Sequence, residues 1–136
     1  MIAALFFAAA VTLAKPAPPP DLTAPPADAQ KSADGLISKQ LAAGTDGAHP
    51  AVTDLVHIRY AVWKASDGSV IDYTRTSLPN FVDMSKLLPG MREMFALMTP
   101  GETRRAWIPA SLGAGKINDG DMFVVEAELE IGRAHV

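Results

Sequence analysis

Between Val56 and Trp63 the chain alternates strictly, with Val56, Ile58, Tyr60 and Val62 on one side and His57, Arg59, Ala61 and Trp63 on the other. Successive side chains of a strand point to opposite faces, so a period of two marks a strand with one face buried. Asp67-Gly68 follows as a turn, and Ser69-Val70-Ile71-Asp72-Tyr73 returns as a partner strand. This hairpin commits the chain to an antiparallel sheet, and the remaining segments must fit around it.

Upstream, Leu36 to Leu41 is a short mixed run closed by Ala42-Ala43-Gly44-Thr45, and Asp46-Gly47 with His49-Pro50 reads as a loop. Pro89-Gly90 opens the one helix the spacing predicts, with Met91, Met94, Phe95 and Met98 at helical intervals, and Pro100-Gly101 ends it. Thr103 to Pro109 is a strand again. Ala110 to Gly120 is a loop of small residues, and Met122 to Leu129 is a final strand. The expected class is α+β, about five antiparallel strands with one short α-helix packed on a face.

The chain has 136 residues, 49% apolar and 20% charged, which is ordinary for one globular domain. A net charge of −3 and a pI near 5.5 offer no electrostatic case for nucleic acid or an anionic membrane. Cysteine is absent, which excludes disulfides, thiolate catalysis, cysteine zinc sites and a cysteine-linked lipid anchor. His49, His57 and His135 are scattered without the spacing of metal ligands, and no Gly-rich phosphate loop or Ser-His-Asp signature is present.

Both ends read as something other than domain. Ile2 to Leu13 is apolar but short for a bilayer, and Thr12-Leu13-Ala14 places small residues before Lys15. Residues 1–14 are read as a signal peptide, although no Lys or Arg precedes the apolar run; the alternative is a buried helix. Pro16-Ala17-Pro18-Pro19-Pro20 and Ala24-Pro25-Pro26-Ala27-Asp28 make residues 15–31 a Pro/Ala-rich linker. Such a stretch favours polyproline II and reads as a stiff spacer, with a docking site for a proline-recognising module as the other reading. The folded domain is expected over 32–130. The end, Glu130 to Val136, resembles a translated sequencing adapter, so residues 131–136 are read as a non-native tail. Against that, Leu129 and Ile131 keep the strand's alternation.

In order along the chain, several runs resemble the FKBP family of peptidyl-prolyl cis-trans isomerases. Val56-His57-Ile58-Arg59-Tyr60, then Asp67-Gly68 with Ile71-Asp72, is similar to V-x-V-x-Y…D-G-x-x-F-D. Leu87-Leu88-Pro89-Gly90-Met91 resembles V-I-P-G-W. Ala96-Leu97-Met98-Thr99-Pro100-Gly101-Glu102-Thr103-Arg104 resembles L-x-x-M-x-x-G-E-x-R, and Trp107-Ile108-Pro109 precedes Leu112-Gly113-Ala114-Gly115 where the family has L-A-Y-G. Val124-Val125-Glu126-Ala127-Glu128-Leu129 resembles the closing strand V-F-x-V-E-L.

The resemblance implies an FKBP-like fold and an isomerase needing no nucleophile, metal or cofactor. Its partners would be proline-containing polypeptides, and as an exported bacterial protein, periplasmic or secreted, it would keep no membrane anchor after signal cleavage. Tyr60, Asp72 and Leu88 are its implied catalytic set: the pocket tyrosine, a buried aspartate and a backbone N–H donor. Ile71, Phe81, Leu87, Met91, Ala114 and Val125 are the implied substrate-binding set. Four of these are aliphatic where the family has a ring: Ile71 for Phe, Met91 for Trp, Ala114 for Tyr, and Val125 for another aromatic.

Each residue has a plainer reading. Tyr60 reads also as a packed strand residue, Asp72 as an organiser of hydrogen bonds, Met91, Met94 and Phe95 as a core stripe, and Arg104-Arg105 as an exposed strand pair. Two functional classes follow from the resemblance. One is an isomerase assisting exported proteins; the other is a non-catalytic binding module with a degenerate pocket.

Overall fold

A computed structural model describes residues 12–45, 47–51, 53–76, 81–113 and 122–134. Seven strands form one sheet: β1 (Gln30–Lys31), β2 (Ile37–Ala42), β3 (Leu55–Lys64), β4 (Val70–Tyr73), β5 (Phe81–Asp83), β6 (Thr103–Ile108) and β7 (Phe123–Ala134). Their order is β1-β2-β6-β7-β3-β4, with β5 also pairing with β3, and every named pairing is antiparallel. Among the described residues there is one α-helix, α1 (Pro89–Leu97), which follows a 3-10 turn at Met84–Lys86.

The α+β class and the one helix are as expected, but the strand count exceeds five. The additions, β1 and β5, are two and three residues long, too short for a period of two to register. The hairpin forms as read: Gly68 takes φ 75° at the turn, a conformation a side chain would resist. The backbone of β7 continues to Ala134, which pairs with Leu55, so residues 131–134 of the expected tail continue the strand. Glu130 has a partner in His57, whose Nε2 lies 3.1 Å from its carboxylate.

The inner face of the sheet packs against α1. Val56, Ile58 and Val62 of β3, Ala106 and Ile108 of β6, and Phe123, Val125, Ala127 and Leu129 of β7 bury there with Met91, Met94 and Phe95. Met94, Phe95 and Met98 have no exposed surface, and each such side chain contributes about 1.5–3 kcal/mol by burial. Gly90 permits the close approach of α1 to β6, because a Cβ there would stand 2.5 Å from Ile108 Cγ2.

Beneath α1 lies a buried ion pair. Arg104 Nε donates to Glu102 Oε2 at 2.7 Å, and Arg104 Nη1 donates to Ser38 Oγ and Gln30 Oε1, both at 3.0 Å. Glu102 Oε1 also accepts the Thr99 N–H at 3.1 Å, tying down the chain as it leaves α1. The expectation of an exposed Arg104-Arg105 pair therefore fails for Arg104, whose inward register on β6 is sealed by β1 and β2.

The outer face holds a second apolar cluster, built from Ala61, Trp63, Ala65, Trp107 and Val124. The Pro/Ala-rich stretch covers it. Leu13 N–H donates to Arg75 O at the β4 edge, Trp63 Nε1–H donates to Pro16 O at 3.3 Å, and Trp107 Nε1–H donates to Asp21 O at 2.9 Å. Residues expected to stand off as a spacer lie across the sheet instead, where they bury two indoles that occupy the outward register. Residues 1–11 of the expected signal peptide lie outside the described residues, whereas Thr12 bridges to Thr76.

Candidate functional site

Where β3, β4 and the start of α1 meet, a cavity of about 240 Å³ opens on the inner side of the sheet. Ile58, Tyr60 and Val62 enter it together because they share the inward register of β3. On β4, Val62 pairs with Asp72 but Trp63 pairs with Val70, so Ile71 is an extra residue. This bulge lets Ile71 and Asp72, though adjacent in sequence, both line the cavity. Val82 of β5, and Lys86, Leu87, Leu88 and Met91 around the start of α1, complete the wall.

The wall is aliphatic apart from Tyr60, Asp72 and Lys86. Tyr60 Oη donates to Asp72 Oδ2 at 2.7 Å. Asp72 Oδ1 accepts the Tyr73 N–H at 2.9 Å and lies 3.6 Å from Arg75 Nη2, whose guanidinium stacks on the Tyr73 ring. Burial of the phenol, reinforced by the neighbouring Asp72 carboxylate, pushes the Tyr60 pKa above its ordinary value. The hydroxyl is therefore a neutral donor already committed to a carboxylate.

Leu88 is the N-cap of α1, in extended backbone at φ −59° and ψ 149°, with no side-chain cap. Its N–H has no hydrogen-bond acceptor among the described residues. Pro89 at the first helical position supplies no donor of its own, so the helix start presents the Leu88 N–H beside an apolar wall. Met91, one turn into α1, is 8% exposed and touches both the core and the cavity.

Of the residues singled out in the sequence, Tyr60, Asp72, Ile71, Leu87, Leu88 and Met91 converge here. Asp72 is not buried as the resemblance implied: its side chain is 52% exposed, at the rim. Phe81 does not reach the cavity. It is 48% exposed and its ring rests 5.2 Å from that of His57, because the β3–β5 register turns Val82 inward opposite Val56. Val125 is fully buried in the core, paired with Val62 and Ala106, and is not on the cavity wall. Ala114 lies outside the described residues. Ile58, Val62, Val82 and Lys86 were not singled out; the shared register with Tyr60 was a readable signal for the first two.

Comparison with known proteins bears on the family and the fold. The family model described as FKBP-type peptidyl-prolyl cis-trans isomerase matches residues 47–131. The chain is 30% identical over 104 residues to the macrophage infectivity potentiator of Trypanosoma cruzi, covering 76% of this chain and 53% of that protein. It is 37% identical over 82 residues to the outer membrane protein MIP of Legionella longbeachae, covering 60% of this chain and 34% of the relative. The chain thus spans about half or less of the length of these relatives. Its fold is similar to a peptidyl-prolyl cis-trans isomerase from Pseudomonas syringae pv. tomato, with a TM-score of 0.70, 23% identity, and coverage of 80% of this chain and 84% of that one. FkpA from Escherichia coli gives a TM-score of 0.70 at 24% identity, over 81% of this chain and 54% of its own. With the matched region covering well over half of its length, the chain belongs to the FKBP-type peptidyl-prolyl cis-trans isomerase family.

Proposed function

We propose that the chain catalyses cis–trans isomerisation of X-Pro bonds in exported polypeptides, without covalent chemistry, in the cavity between β3, β4 and α1. One observation carries the reading: an aliphatic cavity with the unpaired Leu88 N–H at one side and the Tyr60–Asp72 pair at its rim. Family membership supports the reaction class. The apolar run from Ile2 to Leu13 and the name of the Legionella relative, an outer membrane protein, support an exported role.

The barrier to the reaction is amide resonance, roughly 18–20 kcal/mol, and the uncatalysed exchange takes on the order of 10–100 s. A site accelerates it by binding the twisted amide better than either planar form. Here Met91, Leu87, Ile71 and Val82 would receive the proline ring, and the Leu88 N–H would take a substrate carbonyl. The neutral Tyr60 hydroxyl, held by Asp72, would orient the rim. An apolar site also disfavours the charge-separated resonance form of the planar amide, which lowers the barrier further.

The aliphatic walls favour weak catalysis. A ring contributes area and shape that a Met or Ile lacks, and this same feature supports a second reading, a binding module for unfolded chains. A protease-free isomerisation assay on short X-Pro peptides with the full chain separates the two. Catalysis above background that falls on Leu88→Pro, which deletes the N–H, establishes the enzyme. No catalysis from a folded sample that still binds the peptides establishes the module.

A further inference from the structure

The chain's two tryptophans, Trp63 and Trp107, both lie on the outer face of the sheet, 3% and 0% exposed. What covers them has a register of its own. From residue 13 to residue 19, Leu13, Pro16 and Pro19 are turned inward, while Ala14, Lys15, Ala17 and Pro18 are exposed, and the chain then turns at Pro20-Asp21. One residue in three faces the sheet, which is the repeat of a polyproline II helix. Asp21 lies in that turn, where its carboxylate is held by Arg105.

The sheet meets this segment with a small set of polar groups. Proline has no N–H, so its carbonyl is the main-chain handle a receptor can use. Trp63 Nε1–H donates to Pro16 O and Trp107 Nε1–H to Asp21 O, at 3.3 and 2.9 Å. Arg105 Nη1 donates to both carboxylate oxygens of Asp21, at 2.9 and 3.0 Å, while Glu126 fixes the same guanidinium at 2.7 Å. Indoles that grip the carbonyls of a proline helix, with a charge that fixes its direction, make up a known mode of polyproline recognition. Pro19, between these anchors, is buried, and an open groove of about 720 Å³ lies between the segment and the strands. From Leu13 to Asp21 it is held at points rather than by a strand ladder, so it can leave while the sheet stays paired.

We propose that this outer face is a second polypeptide-binding surface, selective for a polyproline II segment followed by an acidic residue. Pro16–Asp21 is its built-in ligand, displaced by a proline-rich segment of another polypeptide. The surface is on the opposite side of the sheet from the cavity and does not depend on the cavity being catalytic. Its specificity follows from Arg105: an acid at the Asp21 position is accepted and a base is rejected. Because the built-in ligand is tethered, its effective concentration is on the order of millimolar, which weakens binding in trans to the intact chain.

The test uses the full chain and a loosened form carrying Asp21→Ala with Pro19→Gly. The probes are a synthetic peptide of residues 15–29 and its Asp21→Lys counterpart. Tryptophan fluorescence reports directly, since both indoles lie in the contact. The expected result is saturable 1:1 binding of the acidic peptide, at least about tenfold tighter to the loosened form than to the intact chain. The Lys peptide binds at least about tenfold more weakly, and Arg105→Glu in the loosened form reverses the preference. Equal response to both peptides, or no saturable change in a folded loosened form up to millimolar peptide, overturns the proposal. So does dimerisation of the loosened form with peptide excluded, which would assign the surface to a second copy. If the loosened form does not fold, the intact chain decides: half-displacement near millimolar peptide supports the proposal and no displacement at several times that overturns it.

Discussion

Replacing Tyr60 by Phe deletes one hydroxyl and leaves the ring in place, so it isolates the hydrogen bond to Asp72. A bond to a charged acceptor is worth about 1.5–3 kcal/mol net when its partner is left stranded. Asp72 would not be stranded: its side chain is 52% exposed, and it keeps the Tyr73 N–H and Arg75. The expected loss of stability therefore falls below that range, at about 1 kcal/mol. The effect on catalysis depends on what the bond does. If it holds the rim in the geometry that receives a twisted amide, kcat/KM should fall about five- to tenfold, or roughly 1–1.4 kcal/mol of transition-state stabilisation, with kcat carrying most of it. Urea denaturation gives the first quantity and the isomerisation assay across substrate concentrations gives the second. A kcat/KM within twofold of the parent, with the stability change as stated, would refute an active role for the hydroxyl and leave Tyr60 as packing.

Other perturbations follow from the same geometry. Glu102→Gln leaves buried Arg104 without its counter-charge and should cost about 3–5 kcal/mol in urea denaturation, whereas replacing both residues by methionine should cost far less. Met91→Trp adds a ring to the cavity wall and should raise kcat/KM at least about fivefold; no gain in a folded variant would mean that the cavity is not the site of isomerisation. The raised pKa of Tyr60 means that the folded chain holds this proton more tightly than the unfolded one. The associated stability is complete below the ordinary tyrosine value of about 10 and is lost as pH rises beyond it, so alkaline titration of stability should show a component that Tyr60→Phe removes.

Much of the architecture was legible because its elements are long and periodic. The ten residues of β3, the Asp67-Gly68 turn and the Met91, Met94, Phe95 stripe each carry their period within one segment. β1 and β5 carry too little chain for that, and β5 is where the site reading went astray: Phe81 looked like a cavity ring, yet pairing with β3 turns Val82 inward. Val125 shows a different limit. Alternation says which face a residue takes, and Val125 does face inward, but depth depends on what lies above it. The bulge at Ile71 was equally hidden, since a register shift is a property of two strands together.

That residues of the Pro/Ala-rich stretch lie on the sheet rather than standing off it has a more general physical cause. A polyproline II helix makes no internal hydrogen bonds, so its sequence is compatible with a spacer in water or a strap on a surface. Composition reports the conformation; only a complementary surface decides between the two. That surface was half visible: Trp63 lies on the side of β3 taken as the wet one, and Trp107 precedes Ile108 in a strand whose inner face is set by Ala106 and Ile108. Two indoles on one outward face are a large apolar area to leave in water, and the segment that turns Leu13, Pro16, Pro19 and Leu22 inward supplies the cover. Neither observation is decisive alone, because exposed tryptophans and proline spacers both occur. Together they constrain each other, since an outward aromatic pair gains by being covered and a proline helix offers carbonyls that indole N–H groups can reach. The pairing of Trp63 with Pro16 and Trp107 with Asp21 combines the two.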